Sequence, residues 1–402
     1  MNPSCRCLNC ITPPYLLKKL LESSDGNIRE AALNTLLATA QLRGERSVRG
    51  TIGLTASGGG RRTIFDCRSG VNLAAASLAR SEDGEASDDE SVNLAFDGLG
   101  ITRDFFQEVF ERDSIDGRGM RLNGYVHRGN NYNNAFWDGQ EMVFGDGDGR
   151  IFTDFTKSLD VIAHELAHGV TEFTAQLEYH FQPGALNESI SDVFGSLVKQ
   201  WSLNQSVEEA DWLIGSEIFT PNIEADALRS LKAPGTAYNN QLFGRDPQPD
   251  RMSKFVVSAD NEAGDWGGVH VNSGIPNKAF YLTAMTIGGF AWEEAGQIWY
   301  EALLASSRNT QFQDFADTTY IQAGQLYGTR SSQQQAVTEA WKEVGIRIRT
   351  SANNRISTRG HGGSGTGTSE GDSLSALTSQ IEALAAQVKI LSKDVSSLKD
   401  RR

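Results

Sequence analysis

Apolar positions recur every three to four residues in several stretches of this chain, and that period predicts helices. Val161, Ile162, Leu166 and Val170 form such a stripe along residues 159–173, with no proline and Gly169 as the weak point. A second stripe, Ile190, Val193, Phe194 and Leu197, runs over about 186–201. It follows Pro183-Gly184, a pair expected to stop whatever precedes it. Further helical patterns cover 88–111, 278–285, 289–307, 312–327 and 332–344. From about residue 51 to the end of the 159–173 helix, the rest of the chain reads as turns and short strands. Arg62-Thr-Ile-Phe-Asp66 and Gly124-Tyr-Val-His-Arg128 are examples. The expected class is α+β, a strand-rich lobe followed by a helical lobe, without internal repeats.

The two ends differ from this body. Residues 1–50 are basic and Gly-poor, with short helical runs at 15–22 and 27–42. Residues 360–371 are rich in Gly, Ser and Thr, the composition of a flexible linker. Beyond it Leu374, Leu377, Ile381, Leu384, Val388, Leu391, Val395 and Leu398 alternate spacings of three and four. Ile381, Val388 and Val395 are β-branched a positions and the d positions are Leu, which favours a parallel coiled-coil dimer. Asp394 and Lys399 make its one good charge pair between helices, so the coil is short and weakly specified. The alternative is an amphipathic helix folded back on its own chain; the narrow seam favours a homodimer through 374–398.

Composition narrows the class. A chain of 402 residues is too long for one compact core and suggests two lobes with appendages. A net charge of −14 argues against nucleic acid or an anionic membrane as partner. No apolar run approaches the roughly 20 residues of a membrane span. Of four Cys, three crowd into Cys5, Cys7 and Cys10 and leave Cys67 alone, which is no disulfide framework. Met1–Cys10 lacks the basic start and apolar core of a signal peptide.

The candidate chemistry lies on the 159–173 helix, in His164-Glu165-Leu-Ala-His168. Histidines four apart sit one turn apart on one helix face and can reach one metal ion. Glu165 between them is close enough to act on a water at that metal. Six His in the whole chain make a chance match improbable. Glu188 and Asp192, also four apart, are surrounded by the apolar stripe of the next helix. A lone pair of acids at this spacing is usually a solvated face, but a buried carboxylate needs a cation or a donor. Glu188 is therefore the candidate third zinc ligand. Asp192 is the candidate acceptor behind a zinc histidine, which fixes its tautomer. In Asp265-Trp-Gly-Gly-Val-His270 the two glycines predict a tight loop presenting His270; by itself this His is as readily a plain loop residue.

These pieces, in this order and at these separations, resemble the thermolysin family of zinc metalloendopeptidases. The likeness covers roughly residues 60–348. It includes Asn131-Tyr-Asn-Asn-Ala-Phe-Trp137, Gly145-Asp-Gly-Asp-Gly149, the His164–His168 motif, the 187–192 segment, Ala227-Leu-Arg229-Ser and the His270 loop. The resemblance implies a zinc-dependent endopeptidase with two lobes and the zinc helix between them. It implies His164, His168 and Glu188 as ligands of one catalytic Zn²⁺ and Glu165 as general base. It implies His270 and Tyr179 as donors to the oxyanion, with Asp265 orienting His270, and Asn187 and Asp192 as acceptors behind the zinc histidines. Asn134, the Ala135 backbone and Arg229 match groups that hold the substrate main chain, along the edge that ends at Trp137. Phe152, Phe155, Val161 and Leu228 match the pocket for the residue after the scissile bond, which implies large apolar residues there.

Ile11-Thr-Pro-Pro-Tyr-Leu-Leu17 resembles the short propeptide of the protealysin-like branch, so Pro13, Pro14 and Tyr15 are expected to contribute to autoinhibition. Its plain alternative is a helix start preceded by proline. Expected boundaries are 1–50 propeptide, 51–178 first lobe, 179–349 second lobe, 350–372 linker and 373–402 coiled coil, with cleavage near Arg49–Gly50. Cys5-x-Cys7-x-x-Cys10 allows a thiolate on the zinc, although an incidental tail is the favoured reading. Lys199 and Ser216 stand where many family members carry calcium-binding acids. Ca²⁺ is therefore doubtful, and Lys199 is expected to replace it by pairing with Asp160 or Asp211. The family's habits suggest secretion without a recognisable signal peptide; a cytoplasmic enzyme is the other option. Two other functions are open: a catalytically silent zinc-binding scaffold, against which Glu165 and His270 speak, and a non-peptide ester hydrolase, against which Asn134 and Arg229 speak.

Overall fold

Alternating apolar residues in short runs build a six-stranded sheet from β1 (Asn9–Cys10), β2 (Arg62–Asp66), β3 (Ser77–Ser81), β4 (Leu122–Val126), β5 (Ala135–Trp137) and β6 (Glu141–Phe144), in the order β1-β5-β6-β4-β2-β3. β4 lies parallel to both β2 and β6, and the remaining pairs are antiparallel. β5 would be the open edge of the sheet were β1 not paired to it. The computed structural model describes residues 9–49 and 61–349. Cys5, Cys7, the Gly50 side of the expected cleavage point, the linker and the heptad seam lie outside them.

Helix α3 (Glu90–Phe110) packs on the sheet through Phe96, under Arg62 and Arg80, and Leu99, against Gly124, while Phe106 on the same helix meets Phe194. Its start is set by Asp89, whose carboxylate accepts the free N–H groups of Ser91 and Val92. Beyond it lie α4 (Leu159–Glu172) and α5 (Phe181–Leu203), the central pair. Gly195 allows their close approach: a Cβ there would lie 2.6 Å from the Asp160 carbonyl oxygen of α4. The expectation that Pro183-Gly184 stops the chain is corrected here. Both residues lie inside the first turn of α5: Pro183 sits where a backbone N–H has no helical partner to lose, and the Gly184 N–H already donates to His180 O at 3.0 Å.

The second lobe is α6 (Asp265–Asn272), α7 (Gly274–Ile287), α8 (Glu294–Leu304), α9 (Phe312–Tyr327) and α10 (Ser332–Glu343). Buried Trp299 and Trp341 stack 6.2 Å apart at its centre, and the Trp341 indole donates to Thr319 Oγ1 at 2.9 Å. The helix expected from 289 begins at Glu294, because Gly288 and Gly289 both take left-handed φ and the chain turns there. The N-terminal segment forms α1 (Pro14–Leu20) and α2 (Gly26–Arg49), the latter longer than its apolar pattern suggests.

His127 joins α3 to the Gly145–Gly149 loop. Its Nδ1 meets Asp146 Oδ1 at 2.8 Å and its Nε2 meets Asp89 Oδ2 at 2.9 Å. The hydrogen bond to Asp146 raises its pKa to about 9; burial opposes this and Asp89 adds to it. A folded pKa above the unfolded value means the stabilisation is complete below about pH 6.5 and fades as pH rises through about 9. Both carboxylates are partly exposed, so the expected contribution is about 1–2 kcal/mol. Urea unfolding of wild type and His127→Gln should differ by that amount at pH 6 and converge near pH 10.

Candidate active site and metal centre

His164 and His168 project from α4 with their rings 4.6 Å apart, and both are buried. Each ring is held from behind. His164 Nδ1 meets Asp192 Oδ1 at 2.9 Å. His168 Nδ1 meets Asn187 Oδ1 at 2.8 Å and Ser191 Oγ at 2.9 Å. Carboxylate and amide oxygens only accept, so each Nδ1 carries the proton and each Nε2 presents a lone pair. The two Nε2 atoms then face each other at 3.0 Å with no proton between them. Burial, and after it the second imidazole, hold the His168 pKa well below the usual histidine range, so the ring stays neutral.

Glu188, from α5, closes the group. Its Oε1 lies 3.4 Å from His168 Nε2 and its Oε2 3.6 Å from His164 Nε2. Glu188 Oε2 is buried without a hydrogen-bond partner. One ligand atom from each of His164, His168 and Glu188 lies within 4.8 Å of the others. Two lone pairs, a carboxylate and an orphaned buried oxygen aimed at one point require a cation, and two imidazoles with one carboxylate suit zinc.

Around this point the remaining candidates converge. Glu165 is buried on α4 and accepts the Trp137 N–H at 3.1 Å. Burial and then Glu188 push its pKa well above the usual carboxylate range. The Tyr179 hydroxyl donates to Glu188 Oε1 and lies 3.3 Å from His270 Nε2. His270 is gripped twice by Asp265: Nδ1 to Oδ1 at 2.6 Å, backbone N–H to Oδ2 at 2.8 Å. Burial lowers the His270 pKa, but Glu188 and Asp265 outweigh it and the net shift is upward, which favours an Nε2 proton. The expected glycine loop is four consecutive left-handed residues, Asp265, Trp266, Gly267 and Gly268, leading directly into a helical turn. Gly267 is required twice over, by its φ of +83° and because a Cβ would lie 2.4 Å from Phe181.

Arg229, on the short strand β8 (Arg229–Ser230) paired to β7 (Leu213–Ile214), is fully buried. It grips Asp192 through Nε and Nη2 at 2.8–3.0 Å. Asn277 Nδ2 also donates to Asp192, at 2.8 Å. Burial pushes the Asp192 pKa up, but Arg229 and His164 more than reverse it, leaving an anion. Phe152, Phe155, Val161 and Leu228 share one continuous buried cluster.

The N-terminal strand runs through the centre of these groups. Cys10 opposes Phe136 across β1 and β5. The Ile11 N–H donates to Ala135 O at 3.3 Å, and Thr12 N–H to Asn134 Oδ1 at 3.0 Å. Arg229 Nη1 donates to Ile11 O at 3.2 Å, and His270 Nε2 lies 3.2 Å from Cys10 O. Of Cys10, then, the carbonyl meets the site, while its side chain packs in a separate cluster with Tyr132 and Phe136. Pro13 and Pro14 are buried, and Tyr15 packs against the main core.

Sequence reasoning missed Ser191 and Asn277. Ser191 adjoins Asp192, but Asn277 sits on α7 with nothing in its neighbourhood to mark it. The site expected for calcium holds Lys199, with Nζ 3.2 Å from Asp160 and 2.9 Å from Asp211. Burial lowers its pKa, yet Asp160 and Asp211 hold it above the ordinary lysine value.

Residues 60–172 match the thermolysin metallopeptidase catalytic domain, and residues 175–346 match the thermolysin metallopeptidase alpha-helical domain. The chain belongs to the thermolysin family. Among thermolysin-family relatives, an extracellular metalloprotease of Pectobacterium carotovorum subsp. carotovorum is 44% identical over 342 residues, 84% of this chain and 96% of that protein. Thermolysin of Alicyclobacillus acidocaldarius is 39% identical over 256 residues, 61% of this chain and 44% of that one. The precursor of protealysin, a metalloproteinase from Serratia proteamaculans, superposes with a TM-score of 0.76 at 45% identity, covering 84% of this chain and 99% of that structure. This thermolysin-family chain is therefore a zinc metalloendopeptidase of the protealysin-like kind, made as a precursor, with the family's two-lobed fold. No helix among the described residues is long and apolar enough to cross a membrane.

Proposed function

We propose that the precursor is held inactive by its own N-terminal segment and that the mature enzyme cleaves peptides before large apolar residues. The observation that carries this reading is the set of hydrogen bonds to the main chain of Ile11 and Thr12: their N–H groups donate to Ala135 O and Asn134 Oδ1, and Arg229 donates to the Ile11 carbonyl. Those are the groups expected to hold a substrate.

Zinc bound by His164, His168 and Glu188 supplies Lewis acidity that brings the pKa of water from ~15.7 toward ~7. Glu165, buried and fixed by the Trp137 N–H, takes the proton from the attacking water and returns it to the leaving amine. A raised carboxyl pKa suits that exchange near neutral pH. His270 and Tyr179 donate to the oxygen of the attacked carbonyl as it gains charge, and Asp265 keeps His270 aimed. Asn187 and Asp192 hold the tautomers of the two zinc histidines. The apolar wall of Phe152, Phe155, Val161 and Leu228 selects the residue after the cut. Casein hydrolysis by the processed wild type, set against Glu165→Gln, tests this assignment.

Residues 1–50 act as the inhibitory segment. α2 adds to the grip: Thr35 Oγ1 accepts the Asn133 N–H at 3.0 Å, and Thr39 Oγ1 shares a hydrogen bond with the Tyr132 hydroxyl at 3.1 Å. Residues 51–178 and 179–349 form the two lobes, and 350–372 and 373–402 the linker and a coiled coil that pairs two copies. Secretion accords with the extracellular relatives.

Lys199 substitutes for calcium. Its ammonium neutralises Asp160, which is buried, and Asp211, so a divalent ion would meet a like charge. A calcium-selective chelator should leave the melting temperature unchanged. Lys199→Ala should lower stability by about 3 kcal/mol, because it leaves Asp160 buried without its cation. Differential scanning calorimetry reads both.

A further inference from the structure

We propose that the chain is its own substrate at the Cys10–Ile11 peptide bond, so that the inhibitory segment is cut inside the active site before it is released. The inference rests on the catalytic reading above and goes beyond it, because blocking a cleft demands neither a particular sense nor a particular register. A strand laid in the opposite direction would cover the same groove with its carbonyls and N–H groups aimed elsewhere.

The register here is that of a substrate. On the carboxyl side of the bond, Ile11 N–H meets Ala135 O, Ile11 O meets Arg229, and Thr12 N–H meets Asn134. Ile11 is fully buried in the cluster that contains Phe152, Phe155, Val161 and Leu228, as the residue after a scissile bond should be. At the bond itself, the Cys10 carbonyl oxygen lies 3.2 Å from His270 Nε2, the donor assigned to the oxyanion. The other partner is the leaving nitrogen. The Ile11 N–H lies on Ala135 O, two residues along β5 from Trp137, whose N–H holds Glu165, the residue assigned to protonate that nitrogen. The peptide bond whose oxygen meets His270 is thus the one whose nitrogen pairs with the edge strand that holds Glu165.

The step balances with water alone. The water oxygen bonds to the Cys10 carbonyl carbon, Glu165 carries one water proton to the Ile11 nitrogen, and the C–N bond breaks. The second water proton passes from the new carboxylic acid to the same nitrogen, so the products are a Cys10 carboxylate and an Ile11 ammonium. Residues 11–49 would stay bound after this cut. They keep the hydrogen bonds to Asn134 and Arg229, those from Asn133 and Tyr132 to Thr35 and Thr39, and the Arg150–Asp25 ion pair at 2.9 Å. Activation would therefore pass through a clipped but still covered form.

The test follows the full-length chain by intact mass and N-terminal sequencing after zinc is added to metal-stripped protein. A fragment ending at Cys10 and a chain beginning at Ile11 should accumulate before any chain that has lost α2. Glu165→Gln, with its isosteric side chain, should yield neither. A second readout needs no turnover: in metal-stripped wild type the Ile11 and Thr12 amides should exchange at least ~100-fold slower than unstructured amides, and Ile11→Asp should abolish that protection. Casein hydrolysis by a sample in which the Cys10–Ile11 bond stays intact, or fast exchange at Ile11, overturns the inference and leaves the protease reading standing. Loss of both casein and self cleavage in zinc-loaded wild type overturns both.

Discussion

Glu165→Gln lowers casein hydrolysis by the processed enzyme about 10²- to 10⁴-fold, the range for removing a positioned general acid–base group. Bound zinc and melting temperature stay unchanged. Gln keeps the shape of Glu and can still accept the Trp137 N–H through its side-chain oxygen. It has no proton to exchange near neutral pH, so the loss falls on kcat, with KM for a peptide substrate little altered. Removing the carboxylate also relieves its repulsion by Glu188, which is among the causes of the raised Glu165 pKa. Metal affinity of the variant is therefore expected to equal or slightly exceed wild type, as read by competition with a chromophoric chelator. Undiminished hydrolysis in Glu165→Gln would mean that another group moves the proton, and the assignment of Glu165 would fail. A catalytically silent scaffold predicts instead that wild type and variant are equally inactive.

Much of this site was legible because helical spacing is a strong geometric constraint. His164 and His168, four apart on an apolar stripe, had to share one face of α4. Glu188 and Asp192 had to share a face of α5 for the same reason. Residues that reach the site from loops and β-strands carry no such period. Nothing local shows that Asn277 donates to Asp192, or that Arg229 holds both Asp192 and Ile11. The Pro183-Gly184 pair misled because a helix tolerates proline in its first turn, and the true start at Phe181 has no side-chain cap to announce it. The left-handed run over 265–268 explains the two glycines but also places Asp265 and Trp266 in a strained conformation that no composition rule anticipates. Strain of that kind is tolerated where a carboxylate must reach both the ring and the backbone N–H of His270.

Asp192→Ala is expected to be the most damaging single substitution to stability. Asp192 has no solvent exposure and three partners: His164 Nδ1, the Arg229 guanidinium and Asn277 Nδ2. Removing it leaves Arg229 fully buried, with the Ile11 carbonyl as its remaining acceptor among the described residues of the precursor. Breaking a buried pair from one side costs about 3–5 kcal/mol, because the surviving charge keeps its desolvation penalty. The same change frees the His164 ring to take the other tautomer, which costs zinc affinity about 10–100-fold. Precursor and processed enzyme should differ. Release of the N-terminal segment removes the Ile11 carbonyl, so the mature form of the variant should lose more stability than the precursor. Asp192→Asn separates the two effects: it can still accept from His164 but carries no charge, so zinc affinity should fall less than stability. Chemical denaturation of both forms, with zinc titration of the metal-stripped protein, reads each effect. Equal destabilisation of precursor and mature forms would show that Arg229 does not depend on the segment for its second acceptor.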